Sequence, residues 1–483
     1  MKCLWAFFFA LLLVCSPMAG QAAAQPPPDP PAPPGLPALP GLPALPDLSG
    51  LPGLLSPDAN GSILPGLQEW IDRVVPPPPI APTTPAPMLS TTGLTPALAA
   101  LRQAVLPSPV GDPIFDAWPA DLEAFGEGQL LEVRDVTPSA APLVLVPIRQ
   151  ALLLKFRTTD AHGLPSYATA TLVVPTTVWQ GPGSRPVLVN NLPINALGRD
   201  CTPGYSFAHG LSNKTALTDF IPPTTQLAAL RGYAVLIPDH EGPWMAYAEP
   251  YVAGHAILDA IRAVRELRPE EFGDSRFAMA GYSGGAIATH GAVKLIGSYA
   301  PELAGVIVGA SLGGVPADFE ILARSMNGNL ASAVFMAATF AVGRERPEIL
   351  ARMNNLAQWA ATSPLKDLCG SSFGIVGVLM LPIDVAANFA DPLHSGLAAE
   401  IYRVTRMEGM RSATPLYIYN GEQEFWIPAE GARNLYHEQC GLGVRSVYRS
   451  VLGEHVIAGG LGYPEAMGWL DQRLHGVPAP DEC

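Results

Sequence analysis

Gly281-Tyr282-Ser283-Gly284-Gly285 is the stretch whose residue types and spacing could most directly do chemistry. It follows an apolar run at 276–280 and precedes a helical pattern opening at Ala286. A serine between glycines, on a sharp turn from strand to helix, projects its hydroxyl over the end of a sheet. The amide of the next residue, here Gly284, can then face an oxyanion. Glycines are wanted because a side chain on either flank would fill the space of the turn. The chemistry implied is attack by the Ser283 hydroxyl on an acyl carbonyl.

A serine hydroxyl attacks only when a base takes its proton and a carboxylate holds that base, and in strand–turn–helix enzymes these follow in the order Ser, acid, His. The histidines after Ser283 are His290, His394, His437, His455 and His475. His290 sits on the nucleophile's own helix, and His394 comes before the last two apolar runs. His437 lies within a helical pattern and His475 in the tail. His455 directly follows the run at 446–452, in the loop Gly453-Glu454-His455-Val456, where a base is expected. The acid should follow the preceding run, 415–419, where the loop 420–428 offers Glu422 and Glu424 and no Asp. Glu424 is preferred because Phe425-Trp426-Ile427 would partly bury it beside the base; Glu422 remains the alternative. Asp239-His240-Glu241 suggests a metal at first sight, but consecutive side chains point apart and cannot easily converge on one ion. That segment is expected to pack as a turn beneath the site.

The elements that must position these groups are runs rich in Val, Ile, Leu and Tyr at 151–158, 168–174, 186–190, 233–238, 276–280, 305–310, 415–419 and 446–452. The turn at 160–165 joins the first two as a hairpin. Helical periodicity at 252–267, with Ile257, Ile261 and Val264 on one face, and at 286–299 separates later runs. Alternation of this kind predicts an α/β fold with a mostly parallel sheet covered by helices, its chemistry in loops at the carboxyl ends of the strands. Residues 315–411, between the nucleophile half and the acid, contain apolar helical material at 331–342 and 373–381. An insertion at this point would form a helical cap over Ser283, with an interior able to receive an acyl chain.

Of 483 residues, 28 are Lys or Arg and 42 are Asp or Glu, a net charge of −14 that argues against nucleic acid as a partner. The 53 prolines are unevenly placed, 25 of them within residues 1–110. Residues 1–24 read as a signal peptide: Met1-Lys2, a 12-residue apolar run ending at Cys15, and Ala22-Ala23-Ala24 before Gln25. A lipid-anchored Cys15 is the other reading, opposed by Val14 where a small residue is wanted. Residues 25–110 form a Pro-rich arm with the repeat Gly-Leu-Pro-Ala-Leu-Pro at 35–40 and 41–46, expected to be a disordered spacer. Within it, 63–75 and 94–105 could form brief helices. The catalytic body spans 111–483. Secretion or residence in the cell envelope follows, and Cys201, Cys369, Cys440 and Cys483 of the mature chain should be oxidised there. None has metal-ligand spacing, and neither a metal nor a cofactor is called for.

The body resembles the secretory lipase family, α/β-hydrolases of the lipase A type with a large cap. The resemblance is carried by Asp239-His-Glu-Gly242, the segment 254–262, Gly281-Tyr-Ser-Gly-Gly285, Ser298-Tyr-Ala-Pro-Glu-Leu303, Gly309-Ala-Ser-Leu-Gly-Gly314, Glu438-Gln-Cys440 and Glu454-His455, in that order. It implies the α/β-hydrolase fold, Ser283 as nucleophile and His455 as base. The acid falls at Glu424, where the family usually has Asp. The oxyanion hole it implies is Gly284 with Asn195, through the latter's backbone amide or its side chain, and the cystines are Cys201–Cys369 and Cys440–Cys483. The resulting expectation is a secreted carboxylic-ester hydrolase acting on lipid or small esters, its cap able to meet a lipid surface. An acyltransferase, deacetylase or peptidase with the same triad, or a catalytically idle envelope protein, are the rival readings.

Overall fold

Two strands, β2 (Ile148–Thr159) and β3 (Pro165–Pro175), form a long antiparallel hairpin. Its turn is set locally by Asp160, whose carboxylate accepts the amide N–H of His162 and of Leu164, both at 2.8 Å. In this computed structural model residues 66–81 and 89–483 are described. The signal peptide and the hexad repeat lie outside the described residues.

Around the hairpin the chain builds a nine-stranded sheet in the order β1-β2-β3-β5-β4-β6-β7-β8-β9. The remaining strands are β1 (Leu130–Asp135), β4 (Val187–Asn191), β5 (Ala234–Pro238), β6 (Phe277–Tyr282), β7 (Ile307–Gly313), β8 (Leu416–Gly421) and β9 (Ser446–Val451). β1 to β3 are antiparallel and β3 meets β5 antiparallel; from β5 onward every pairing is parallel. Every residue of β4 and β5 is buried, which is why these strands read as unbroken apolar runs rather than alternating ones. Helices Pro250–Leu267 and Gly284–Tyr299 cover one face, where Ile257, Ile261 and Val264 join Leu236 and Met279 in the core. Helix His455–Leu474 covers the other, with Trp469 and Leu470 packed against Tyr417 and Ala278. This is the α/β-hydrolase fold expected.

All eight anticipated runs are strands; β1 is additional. Its sequence, Leu-Leu-Glu-Val-Arg-Asp, carries three charges and sits half exposed at the sheet edge. Only its pairing with β2 makes it a strand, and no apolar run announces it.

Between β7 and β8 lies a helical insertion without a strand of the sheet, including Phe319–Met326, Ser332–Glu345, Asn355–Thr362 and Gly396–Arg406, which is the cap. The stretch 373–381 departs from expectation. Its helix ends at Gly377, and Ile375, Val378, Leu379 and Met380 are exposed rather than buried in the cap. Two glycines and the following Pro382 leave too few helix-favouring residues to continue.

Two parts of the Pro-rich region carry packed structure. Helices Leu67–Val74 and Pro96–Ala104 lie close to the two stretches anticipated within the arm. Asp72 accepts the Asn355 amide N–H at 2.7 Å, and the Trp359 indole N–H donates to the Pro76 carbonyl at 2.8 Å. Leu101 and Val105 are buried with Phe340, Ala341 and Val342 of the cap. Composition alone reads as spacer here, yet Leu98, Leu101 and Val105 fall on one helical stripe.

Disulfides join Cys201 to Cys369 and Cys440 to Cys483. The first fastens the segment after β4 to the cap, and the second ties the C-terminus to helix Ala429–Gly441. Among the described residues, no helix is long and apolar enough to cross a membrane.

Candidate active site

Ser283 lies between β6 and helix Gly284–Tyr299 with φ 55° and ψ −123°, a conformation that L-residues avoid. It is held there by main-chain bonds: its N–H donates to the Gly313 carbonyl at 2.9 Å, and its own carbonyl receives the N–H of Ala286 at 2.8 Å. The turn leaves no room beside it. A Cβ on Gly285 would lie 1.9 Å from the Asn191 carbonyl oxygen, and one on Gly281 would lie 2.3 Å from that of Gly285. The glycine pattern is therefore a steric requirement of β6 packing against β4 through this turn.

His455 opens helix His455–Leu474, and Glu454 before it caps that helix by accepting the N–H groups of Val456 and Ile457. The imidazole Nδ1 lies 2.7 Å from Glu424 Oε2. The other oxygen of Glu424 accepts the amides of Trp426 and Ile427, at 3.1 and 3.2 Å, and its side chain is fully buried. Glu422 points elsewhere, accepting the Ser450 hydroxyl at 2.7 Å. Two aromatic rings flank the imidazole. Trp426 stacks on it at 5.9 Å and Tyr282 lies at 5.0 Å, with the Tyr282 hydroxyl donating to the His455 carbonyl. In the sequence Trp426 is marked only as helping to bury Glu424 beside the base; Tyr282, inside the nucleophile turn, carries no such sign beyond its adjacency to Ser283.

Ser283 and His455 both line a cavity of about 860 Å³ whose walls are mostly apolar and come largely from the cap, among them Phe319, Val334, Phe335 and Ile401. Among the described residues, His455 is the only histidine lining it. His290 is buried within its helix, where burial and the nearby Lys294 push its pKa well down. His394 pairs with Asp391, His437 lies against Tyr436, and His475 lies against Tyr233 and Trp179. The Ser283 hydroxyl makes no hydrogen bond within the described residues, so it is open to whatever enters the cavity.

Asn195 also lines the cavity and rests on Gly284: a Cβ added to that glycine would meet its Oδ1 at 1.7 Å and its Nδ2 at 3.5 Å. The next amide, that of Ala196, donates to Glu241 Oε1 at 3.4 Å.

The Asp239-His240-Glu241 side chains diverge, as alternate directions require. Asp239 accepts from Thr169 Oγ1 and the Gly204 amide, His240 bonds the Leu192 carbonyl at 2.8 Å, and Glu241 faces the amides of Asn195 and Ala196. Burial pushes the Asp239 carboxyl up to about 7 and the His240 imidazole down to about 4. The other cluster of possible ligands, Asp200, Cys201 and Cys369, contains a disulfide and offers no thiolate.

A family model for secretory lipases matches residues 220–482, more than half of the sequence. The chain belongs to the secretory lipase family. Lipase 10 of Candida albicans is 30% identical over 381 residues, spanning 74% of this chain and 79% of that one. A protein of Mycobacterium tuberculosis described as a probable inactive lipase is 28% identical over 390 residues, 79% of this chain and 86% of that one. Among solved structures, the X-ray structure of Candida antarctica lipase A superposes with a TM-score of 0.68 at 26% identity, covering 78% of this chain and 89% of that chain. The general chemistry of this secretory lipase family member is ester hydrolysis, and its family and disulfides assign it to an extracellular setting.

Proposed function

We propose that this chain is a secreted serine carboxylic-ester hydrolase acting on lipid-like esters through a Ser283–His455–Glu424 triad. The observation that carries the reading is the 2.7 Å contact from His455 to a fully buried Glu424, formed at the wall of the apolar cavity that Ser283 also faces. Glu424 holds the imidazole with Nδ1 protonated, leaving Nε2 to accept the Ser283 proton as the hydroxyl oxygen attacks the ester carbonyl. The oxyanion is stabilised by the Gly284 amide and Asn195, and the protonated His455 gives its proton to the departing alcohol. Water, deprotonated by His455, then attacks the acyl-enzyme and releases the acid. No metal or cofactor takes part.

The cavity suits an acyl chain because its walls are mostly apolar. Residues 1–24 would be removed on export. The exposed Ile375, Val378, Leu379 and Met380 lie in a stretch of cap without a charged residue between Asp367 and Asp384, and would rest on a lipid surface.

Hydrolysis of a series of aryl esters of rising acyl length, with Ser283→Ala as control, tests the reading. Activity that survives S283A would defeat the mechanism. A maximum at acetate or butyrate would replace the lipid substrate with a small ester, and acyl transfer to an added alcohol in preference to water would make the chain a transferase. The relative described as inactive gives weight to one other reading, a catalytically idle protein. Failure of a fluorophosphonate to label Ser283 would favour it.

A further inference from the structure

Glu241 follows β5 and is 2% exposed. Its Oε1 receives the amide N–H of Ala196, the residue after Asn195, at 3.4 Å, while Oε2 is buried without a partner. Burial pushes its pKa well up, an effect only partly offset by the Ala196 amide and the nearby Arg344. Glu241 itself does not line the cavity.

The same loop is gripped from the cap side. Arg344, fully buried in helix Ser332–Glu345, donates from Nη1 to the carbonyls of Leu197, Trp244 and Met245 at 2.9, 2.9 and 3.1 Å. It also donates from Nη2 to Lys366 at 2.7 Å and from Nε to Val105 at 3.1 Å. The Leu197 amide bonds the Leu368 carbonyl at 2.8 Å, and a Cβ on Gly370 would approach the Asn195 carbonyl oxygen to 2.6 Å. Between these two grips Asn195 holds φ at 47°, the left-handed region that Asn tolerates better than most residues but adopts only when held.

We infer that Glu241 is a positioning residue of the oxyanion hole, which by binding the Ala196 amide next to Asn195 helps fix the left-handed turn that lays the Asn195 carboxamide over Gly284. The inference rests on the proposed roles of Ser283 and Gly284. It gives the Asp239-His240-Glu241 segment a part in catalysis without contact to substrate: the carboxyl is an acceptor whose job is geometric. A side-chain acceptor of the same shape should serve as well, whether or not it can ionise.

The test is a set of variants in the full chain, assayed on one aryl ester and by thermal unfolding. Glu241→Gln keeps an acceptor oxygen and should hold kcat within about threefold of the wild type. Glu241→Ala should lower kcat about 100-fold, the size of one lost oxyanion donor, with KM within about threefold. Combined with Asn195→Ala, it should add little to the loss caused by N195A alone, because both changes remove one arrangement. Where E241A does not fold, Glu241→Asp, which withdraws the carboxyl by one methylene, takes its place in the same cycle. Wild-type kcat in E241A, or losses that add fully to N195A, or equal losses in E241Q and E241A tracking the fall in Tm, would each overturn the inference. A wild-type protein that turns over no ester and whose Ser283 resists a fluorophosphonate would overturn the proposed function, and the inference with it.

Discussion

Glu424 and His455 are 31 residues apart in sequence, yet Oε2 of one lies 2.7 Å from Nδ1 of the other. The contact exists because β8 and β9 are parallel neighbours in register, with Gly421 opposite Val451, so the loops leaving their carboxyl ends emerge side by side. The carboxylate is fixed on its other oxygen by two amides of its own loop, leaving one lone-pair direction for the imidazole. Exchange of Glu424 for Gln should keep the shape but reverse the donor and acceptor pattern, lowering kcat by about 1,000- to 10,000-fold. Glu422→Gln should stay within about threefold of wild type, because that carboxylate bonds Ser450 instead. Steady-state kinetics on the two variants decide it; equal losses would remove Glu424 from the triad.

Gly285 meets the backbone of β4 where no side chain can yield. Because the obstructing atom is the Asn191 carbonyl oxygen, Gly285→Ala is expected to destabilise the fold by about 1–3 kcal/mol and to reduce labelling of Ser283 as the turn shifts. Urea unfolding provides the number, and a variant as stable as the wild type would show that the turn is looser than its geometry.

The two disulfides should not be equal. Cys201–Cys369 spans 168 residues and Cys440–Cys483 spans 43, and the entropy of the unfolded chain favours the longer loop by roughly 1 kcal/mol. Replacing Cys201 and Cys369 together by Ser should cost about 2–5 kcal/mol and lower kcat, since that bridge fastens the Asn195 loop to the cap. The pair of Ser replacements at Cys440 and Cys483 should cost less and leave kcat alone. Denaturation paired with kinetics separates the two; a kcat loss confined to the second pair would contradict the assignment.

Asp219 is 4% exposed, and neither carboxylate oxygen has a hydrogen-bond partner. Burial, reinforced by the nearby Asp239, pushes its pKa up to about 7, above the ordinary value near about 3.9. The folded state therefore holds a proton that the unfolded chain releases earlier. Its contribution is greatest below about pH 4 and is lost as pH rises toward about 7, then stays constant. Asp219→Asn removes this titration, so its stability should fall less between pH 4 and 7 than that of the wild type. Unfolding midpoints across that range give the comparison, and parallel curves would mean that the carboxyl is solvated.

Much of this was legible locally. The turn around Ser283, the helix after it and the runs that became β2 to β9 depend on neighbours a few residues away, so steric and hydrophobic rules read them directly. β1 escaped because its charges belong to a sheet edge and its partner is remote in sequence. The exposed 373–381 stretch escaped because an apolar run does not declare which side of the molecule it will face. The helix at Pro96–Ala104 was visible as a helix, but its burial against the cap was not.

Sequence by itself determined the nucleophile turn, the order of strands and helices, and a short roster of candidate bases and acids. Tertiary structure decided which glutamate meets the imidazole, and how the Glu241 carboxyl and the cap grip one loop from opposite sides. The division has a physical cause. A turn or a helix is fixed by interactions within a few residues, whereas the meeting of distant side chains depends on strand register and on the packing of the insertion, quantities set by the whole core at once.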